Sequence, residues 1–193
     1  MSEAELYERR IASELLYEGR ILSLERAQVE LSNGSRSSRE LVHHRGGVAV
    51  LALDDCGRVS LVRQYRIAVD QFLLELPAGK REAGEEPELT ARRELEEECG
   101  LVPGRLDYLG AYFATPGYCD EAIHLYWARE LSQVAARPDP GEFLESCTMD
   151  FETLYSAVMS GEIQDAKTAL AVLKVRALME EDRKVRNGDR TAD

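Results

Sequence analysis

The chain has 193 residues, of which 44% are hydrophobic and 31% charged, and its formal net charge is −12. This length fits one compact domain with an extension better than two full domains, since a domain averages about 150 residues. The acidic balance disfavours binding to nucleic acid, which needs clustered Lys and Arg. The longest apolar run, 48–53, is far shorter than the ~20 residues that cross a bilayer, so no membrane segment is expected. The mixed charges of the N-terminus do not resemble a secretory signal, which makes the cytoplasm the expected location and reduced thiols the expected state of the four cysteines.

The first 44 residues contain two extended runs, 21–31 and 39–44, on either side of an Asn-Gly turn. This pattern predicts an N-terminal antiparallel β-hairpin. The apolar and β-branched runs that follow are typical of the strands of a central sheet. These strands are expected at 48–53, 59–64, 71–76, 106–114, 123–128 and 143–149.

Three helices are predicted between and after these strands, and the clearest is 87–99. Pro87 suits the first turn of this helix and Gly100 suits its C-terminal stop. Two more helices are expected at 151–160 and 165–182, and the polar stretch 129–141 reads as a flexible loop. The predicted fold class is therefore α/β, with a mixed sheet between helices.

Three carboxylates share one stripe of the helix 87–99, because Glu94, Glu97 and Glu98 are spaced i, i+3 and i+4. Like charges at this spacing repel one another by a few tenths of a kcal/mol each. A solvated acidic helix face is the ordinary explanation, since charge runs on helices usually face water. A hard divalent cation bound through oxygen atoms is the alternative, and it points to Mg²⁺ or Mn²⁺ rather than zinc.

The sequence around this helix favours the second explanation. From Gly79 to Leu101 the chain reads GKREAGEEPELTARRELEEECGL, which fits G-x5-E-x7-R-E-U-x-E-E-x-G-U at all nine fixed positions. This segment resembles the Nudix box of the Nudix hydrolases. The resemblance implies an α/β/α sandwich that hydrolyses a diphosphate with Mg²⁺, for which Mn²⁺ is a possible substitute. The expected metal ligands are the Ala78 carbonyl, Glu94, Glu97 and Glu98.

Two further roles follow from the same motif. Arg93 lies one turn before Glu97, so it can pair with a glutamate and hold it in place; the two are counted among the expected catalytic residues. Gly79 and Gly100 are interpreted more simply, as a turn and as the end of the helix.

Features outside the box resemble the ADP-ribose pyrophosphatase branch of these enzymes. A Thr-Pro-Gly-Tyr-Cys-Asp-Glu stretch occupies 115–121, and its proline lies 15 residues after the box. In that branch, residues that match Arg39 and Glu40 bind adenine, the match of Arg66 binds phosphate, and the match of Glu121 helps to hold the ligand. Pro116 and Gly117 complete the expected substrate site. The alternatives are an exposed strand pair for Arg39 and Glu40 and a surface loop residue for Arg66.

The chain departs from the branch in the segment before its last predicted strand, Asp139-Pro140-Gly141-Glu142-Phe143. The branch usually carries two acids there, one residue apart. Glu142 matches the second acid, but Pro140 occupies the position of the first. Glu142 is therefore our hypothesis for the base that activates water.

The resemblance extends over about 17–171 and implies hydrolysis of ADP-ribose to AMP and ribose 5-phosphate. A broader nucleoside-diphosphate-sugar pyrophosphatase and a non-catalytic ADP-ribose sensor remain as alternatives. The expected organisation is an N-terminal β extension (1–44) that mediates homodimerisation, a Nudix hydrolase domain (45–182) and a disordered tail (183–193).

Overall fold

The computed structural model describes residues 2–137, 141 and 143–188, with side chains through 185. It contains two compact units. Unit 1 is formed by 1–46 together with 113–122, and unit 2 by 47–112 together with the chain from 123 onward.

The core of unit 1 is a three-stranded antiparallel sheet in the order β1-β2-β3. Its elements are α1 (Glu3–Leu6), β1 (Arg9–Glu18), β2 (Leu22–Glu30) and β3 (Arg36–His44). β2 and β3 form the predicted hairpin, with Leu22 opposite His44 and Glu30 opposite Arg36.

The sequence prediction missed the strand β1. The reason is that β1 is exposed along almost its whole length and shows no alternation of apolar and polar residues. β1 adopts its extended structure by pairing with β2. Cross-strand ion pairs, such as Arg9 with Glu30, accompany the backbone hydrogen bonds. Exposed ion pairs of this kind add little stability on their own.

The described residues of unit 2 form two sheets and three helices. Its strands are β4 (Gly47–Ala52), β5 (Arg58–Arg66), β6 (Gln71–Glu75), β7 (Ala78–Lys80), β8 (Leu101–Phe113), β9 (Ala122–Gln133) and β10 (Leu144–Asp150). Its helices are α2 (Pro87–Cys99), α3 (Phe151–Ser160) and α4 (Ala166–Gly188). One sheet has the order β7-β4-β9-β8 and the other β10-β5-β6. The first is mixed, because β4 is antiparallel to β7 and parallel to β9.

Strand β4 lies between two layers of helices, and every one of its residues is buried. Successive side chains of a strand point to opposite faces, so β4 contributes to two hydrophobic clusters. The cluster with α2 contains Val48, Val50, Ala91 and Leu95. The cluster with α3 and α4 contains Ala49, Leu51, Leu154 and Val172. This layering is the predicted α/β/α sandwich with a mixed sheet.

Several boundaries differ from the prediction. Strand β9 continues to Gln133, so residues 129–133 of the predicted loop 129–141 form a strand, in which Leu131 packs against the α2 cluster. Residues 138–140 of that predicted loop lie outside the described part of the chain. Helix α4 continues through Gly188, so residues 183–188 are helical rather than part of a disordered tail. Arg183 and Lys184 are good helix formers even where they are exposed. Residues 189–193 lie outside the described part of the chain.

The four cysteines are free thiols, as predicted. Over the described residues, no helix combines the length and the hydropathy that a membrane crossing requires.

Candidate active site

Helix α2 has the predicted bounds, and its ends explain why. Pro87 occupies its first turn, and Gly100 ends it in the left-handed conformation at φ 63°. The Gly100 N–H donates to the Glu96 carbonyl at 2.9 Å. Since a left-handed φ strains residues with a side chain, glycine is the favoured residue at this stop.

Two of the three glutamates of α2 that were predicted to bind metal are almost completely buried beside the strand β7. Glu94 is 7% exposed and Glu98 4% exposed. A Glu98 carboxylate oxygen accepts a hydrogen bond from the Ala78 N–H at 2.9 Å. A buried carboxylate needs such partners, because transfer of an ionised group out of water is costly.

Gly79 has a different role from the turn that was predicted. It lies in β7 and is not among the residues with positive φ. A Cβ added at this position would lie 1.9 Å from the Glu94 carboxylate. Glycine is therefore required because the carboxylate of α2 approaches the backbone of β7 so closely.

Arg93 contacts three carboxylates at once. Its guanidinium donates to Glu94 at 2.8 Å, to Glu97 at 3.0 Å and to both carboxylate oxygens of Glu85 at 3.2 Å. The hydrogen bonds from Arg93 lower the pKa of Glu85 to about 2 and outweigh its desolvation. The same partners raise the pKa of Arg93. The guanidinium thus offsets the repulsion among these acids and fixes their orientation.

The donor set fits a hard divalent cation in its chemistry. It consists of carboxylate and carbonyl oxygens, without the sulfur or imidazole ligands that zinc prefers. Among the described residues, however, no three acidic, His or Cys side chains converge as a ready cation cluster. Glu94 and Glu97 are turned towards Arg93, and Glu98 towards the Ala78 N–H. A bound cation would compete with these partners for the carboxylate oxygens.

A second charged cluster in unit 2 surrounds Glu75, which is only 1% exposed. Arg66 donates to its two oxygens, from Nε at 2.6 Å and from Nη2 at 2.8 Å. Lys167 donates to Glu75 as well, and at 2.9 Å to Asp165. Burial alone would raise the pKa of Glu75, but the hydrogen bonds and charges of Arg66 and Lys167 lower it.

Sequence reasoning named Arg66 but missed the residues around it. One signal was available: Glu75 ends the otherwise apolar run Phe72-Leu73-Leu74, and a charge at the end of a buried strand needs a partner. No pattern could locate Lys167 as that partner, because it lies 92 residues further along the chain.

In unit 1, two expected substrate residues already have protein partners. The Arg39 guanidinium pairs with Glu8, from Nε at 3.0 Å and from Nη2 at 2.5 Å. Glu121 lies 3.2 Å from the His44 ring. The remaining predicted residues of this unit, Glu40, Pro116 and Gly117, are exposed.

His43 ties strand β3 to the loop 115–121, and sequence reasoning assigned it no role. Its Nδ1 lies 2.6 Å from Asp120 and its Nε2 lies 2.8 Å from Glu25. The hydrogen bond with Asp120, followed by that with Glu25, raises the pKa of His43. A protonated His43 can donate to both acids at once.

Comparison with known protein families decides the identity of this arrangement. A model described as the NUDIX domain matches residues 43–171, which is more than half of the chain. The chain belongs to the Nudix hydrolase family. A second model, the nucleoside diphosphate sugar hydrolase N-terminal domain, matches residues 8–42. The predicted family membership is confirmed.

Individual relatives of this Nudix hydrolase agree with that assignment. An ADP-ribose pyrophosphatase of Bacillus subtilis (strain 168) is 43% identical over 169 residues, which cover 86% of this chain and 91% of the relative. An ADP-ribose pyrophosphatase of Mycobacterium tuberculosis (strain ATCC 25618 / H37Rv) is 40% identical over 172 residues, which cover 87% and 83%. The crystal structure of an ADP compounds hydrolase matches with a TM-score of 0.80 at 22% identity, over 91% of this chain and 95% of that one. This structural match supports the Nudix fold.

The predicted site residues are divided between the two units of the Nudix hydrolase. Unit 1 carries Arg39, Glu40, Pro116, Gly117 and Glu121. Unit 2 carries Arg66, Ala78, Arg93, Glu94, Glu97 and Glu98. Glu142, the hypothesised base, lies outside the described residues.

Proposed function

We propose that this Nudix hydrolase cleaves the diphosphate of ADP-ribose to give AMP and ribose 5-phosphate. The observation that carries the proposal is the pair of nearly buried acids, Glu94 and Glu98, held beside the Ala78–Gly79 backbone on the Nudix helix. The relatives named ADP-ribose pyrophosphatase, at 43% and 40% identity, support the choice of substrate. We place the enzyme in the cytoplasm.

The cation of the reaction is Mg²⁺ in this proposal, with Mn²⁺ as a substitute. When bound, such a cation neutralises the diphosphate and makes the phosphorus more electrophilic. The Ala78 carbonyl, Glu94, Glu97 and Glu98 would hold it. Arg93 would orient these glutamates for the cation, because it hydrogen-bonds to two of them.

Arg66 binds the diphosphate in this scheme. Glu75 occupies its Nε and Nη2 edge, so Nη1 is the part of the guanidinium that a phosphate oxygen can reach. The Arg66 side chain is 41% exposed, which leaves it accessible to a ligand from solvent.

Glu142 is the proposed general base. It takes a proton from water as the water oxygen bonds to phosphorus and the bridging P–O bond breaks. The departing phosphate keeps the electron pair of that bond. The glutamates of α2 are assigned to the cation, where their basicity falls, so an acid from another segment completes the site.

In this proposal, unit 1 supplies nucleoside contacts to the active site of the other subunit of a homodimer. Arg39 and Glu40 bind adenine, and Pro116, Gly117 and Glu121 hold the rest of the ligand. Arg39 must then give up its ion pair with Glu8 in order to contact adenine.

We also propose a homodimer that forms through unit 1. Large apolar side chains on its sheet and in the turn between β1 and β2 are open to solvent, which is unusual for a surface without a partner. They are Leu15 (59% exposed), Tyr17 (57%), Ile21 (52%) and Leu22 (37%). Sedimentation at micromolar concentration is expected to give a dimer for the full chain and a monomer after deletion of 1–44. A full-length monomer would contradict the proposal.

The second candidate is a broader nucleoside-diphosphate-sugar pyrophosphatase, which the match of residues 8–42 to the sugar hydrolase N-terminal domain favours. A product screen with Mg²⁺ over ADP-ribose, ADP-glucose and GDP-mannose separates the two, because the narrow function predicts rapid turnover of ADP-ribose alone. Binding of ADP-ribose without release of AMP would instead identify a sensor. A parallel reaction with EDTA controls for hydrolysis that does not depend on the cation.

A further inference from the structure

The first turn of α4 is hydrogen-bonded to the end of β6 through three polar residues of unit 2, Asp165, Lys167 and Thr168. The Thr168 hydroxyl accepts a hydrogen bond from the Leu76 N–H at 2.9 Å, and the Thr168 N–H donates to Asp165 at 3.0 Å. The Lys167 ammonium group donates hydrogen bonds to both Asp165 and Glu75. This turn therefore holds the backbone at the end of β6, through Leu76, and also the side chain of Glu75, the last residue of β6.

The Glu75 carboxylate is shared between two cations. Among the described residues, the oxygen Oε1 accepts from Arg66, whereas Oε2 accepts from both Arg66 and Lys167. Exposure rises from 1% at Glu75 through 14% at Lys167 to 41% at Arg66. Lys167 thus lies on the buried side of the cluster, and Arg66 lies on its solvent-exposed side.

The charges of the cluster balance before any ligand arrives. Two carboxylates, Glu75 and Asp165, face two cations, Arg66 and Lys167. A buried carboxylate with a single cationic partner is costly, and it moves towards that partner or takes up a proton. Removal of Lys167 would therefore leave the Glu75 carboxylate held by Arg66, and the Arg66–Glu75 pair would be less firmly anchored to α4.

We propose that Lys167 is a positioning residue that acts through Glu75 to hold the Arg66 guanidinium in the orientation that binds the substrate diphosphate. The inference rests on the proposed function, in which Arg66 binds phosphate. Lys167 itself does not contact the substrate. Because Lys167 anchors Glu75, and Glu75 engages the Nε and Nη2 atoms of Arg66, the cost of orienting the guanidinium is met before the ligand binds.

The test compares Lys167→Met, which removes the charge, with Lys167→Arg, which keeps it. Lys174→Met is the matched control, because Lys174 lies seven residues further along α4 and donates at 2.5 Å to the neutral Tyr112 hydroxyl. Calorimetric titration with ADP-ribose in EDTA measures Kd without turnover. Steady-state assays with Mg²⁺ separate KM from kcat, and thermal melts report folding.

For Lys167→Met we expect Kd and KM to rise about tenfold, with kcat changed less than about threefold, since a hydrogen bond to a charged group is being lost. For Lys167→Arg, Kd and KM are expected to stay within about threefold of the wild-type values. For Lys174→Met, both are expected to equal the wild-type values. A Lys167→Met protein with a lower Tm but unchanged Kd and KM would overturn the proposal, because Lys167 would then only connect α4 to β6. If Lys167→Met does not fold, Lys167→Gln, which retains a donor, is measured in the same way and is expected to weaken binding by less.

A double-mutant cycle shows whether the effect passes through Arg66. In an Arg66→Ala background, Lys167→Met is expected to cause no further rise in Kd, because the residue that it positions is gone. Additive losses would overturn the proposal. The wild type in the same assays tests the proposed function separately: if it cleaves another nucleoside diphosphate instead of ADP-ribose, the substrate assignment fails, and the comparison is repeated with that compound.

Discussion

Replacement of Gly79 by alanine should impair activity far more than stability. The added Cβ would lie 1.9 Å from the Glu94 carboxylate, whereas ordinary contact begins at 3.4 Å. The carboxylate must therefore move by about 1.5 Å. It is the far end of a flexible side chain, so the backbones of β7 and α2 can stay in place. A misplacement of about 1 Å can cost about 100-fold in rate, and we expect kcat/KM to fall by at least about that factor.

The assay measures AMP release against Mg²⁺ concentration, together with thermal melts. Gly104→Ala is the control, because Gly104 also lies in a strand of unit 2 and its added Cβ would lie 3.0 Å from the Glu130 Cβ, a tight contact that a shift of a few tenths of an ångström relieves. We expect Gly79→Ala to melt close to the wild type and to need more Mg²⁺. Full activity at wild-type Mg²⁺ levels would refute the reasoning, because Glu94 would then have no cation to hold.

Three further predictions concern single side chains. Glu98→Gln should abolish most turnover and leave the fold intact, because it removes a charged ligand from a crowded acidic helix; near-normal turnover at saturating Mg²⁺ would contradict this role. Glu142→Gln should lower kcat by about 10²- to 10⁴-fold with little change in KM, whereas Glu145→Gln stays within about tenfold; a Glu142 variant with full turnover would assign the base elsewhere. The raised pKa of His43 means that its bridge between two acids stabilises the fold below the ordinary value of 6.5 and that this contribution is lost as pH rises through the higher folded value. The difference in Tm between the wild type and His43→Gln should therefore shrink as pH is raised from 6 towards 9, and a constant difference would argue that His43 acts only by packing.

The elements that the sequence predicted well are those whose own residues determine them. Helix α2 has a proline at its start, a glycine at its end and an apolar stripe between, and its bounds were predicted to the residue. Strand β4 was evident from six consecutive apolar or small residues. Strand β1 lacks any such pattern, because it owes its order to the neighbouring strand β2.

The same distinction separates the predicted from the missed parts of the candidate site. The glutamates and Arg93 belong to one short motif, so their spacing alone places them together on a helix. The cluster of Arg66, Glu75 and Lys167 joins β5, β6 and α4, and such a meeting depends on tertiary structure that no local pattern encodes. Gly79 shows an intermediate case: the motif required a glycine there, but only the approach of Glu94 explains why.

The burial of β4 on both faces determines how unit 2 unfolds. A strand whose alternate residues belong to two cores cannot separate from one layer without weakening the other. Its backbone is paired on both edges as well, with β7 on one side and β9 on the other. The amide of Val50, which donates to the Pro77 carbonyl, should therefore exchange its hydrogen only when the whole unit unfolds. Its exchange rate would report the global unfolding free energy of unit 2 under native conditions, without denaturant.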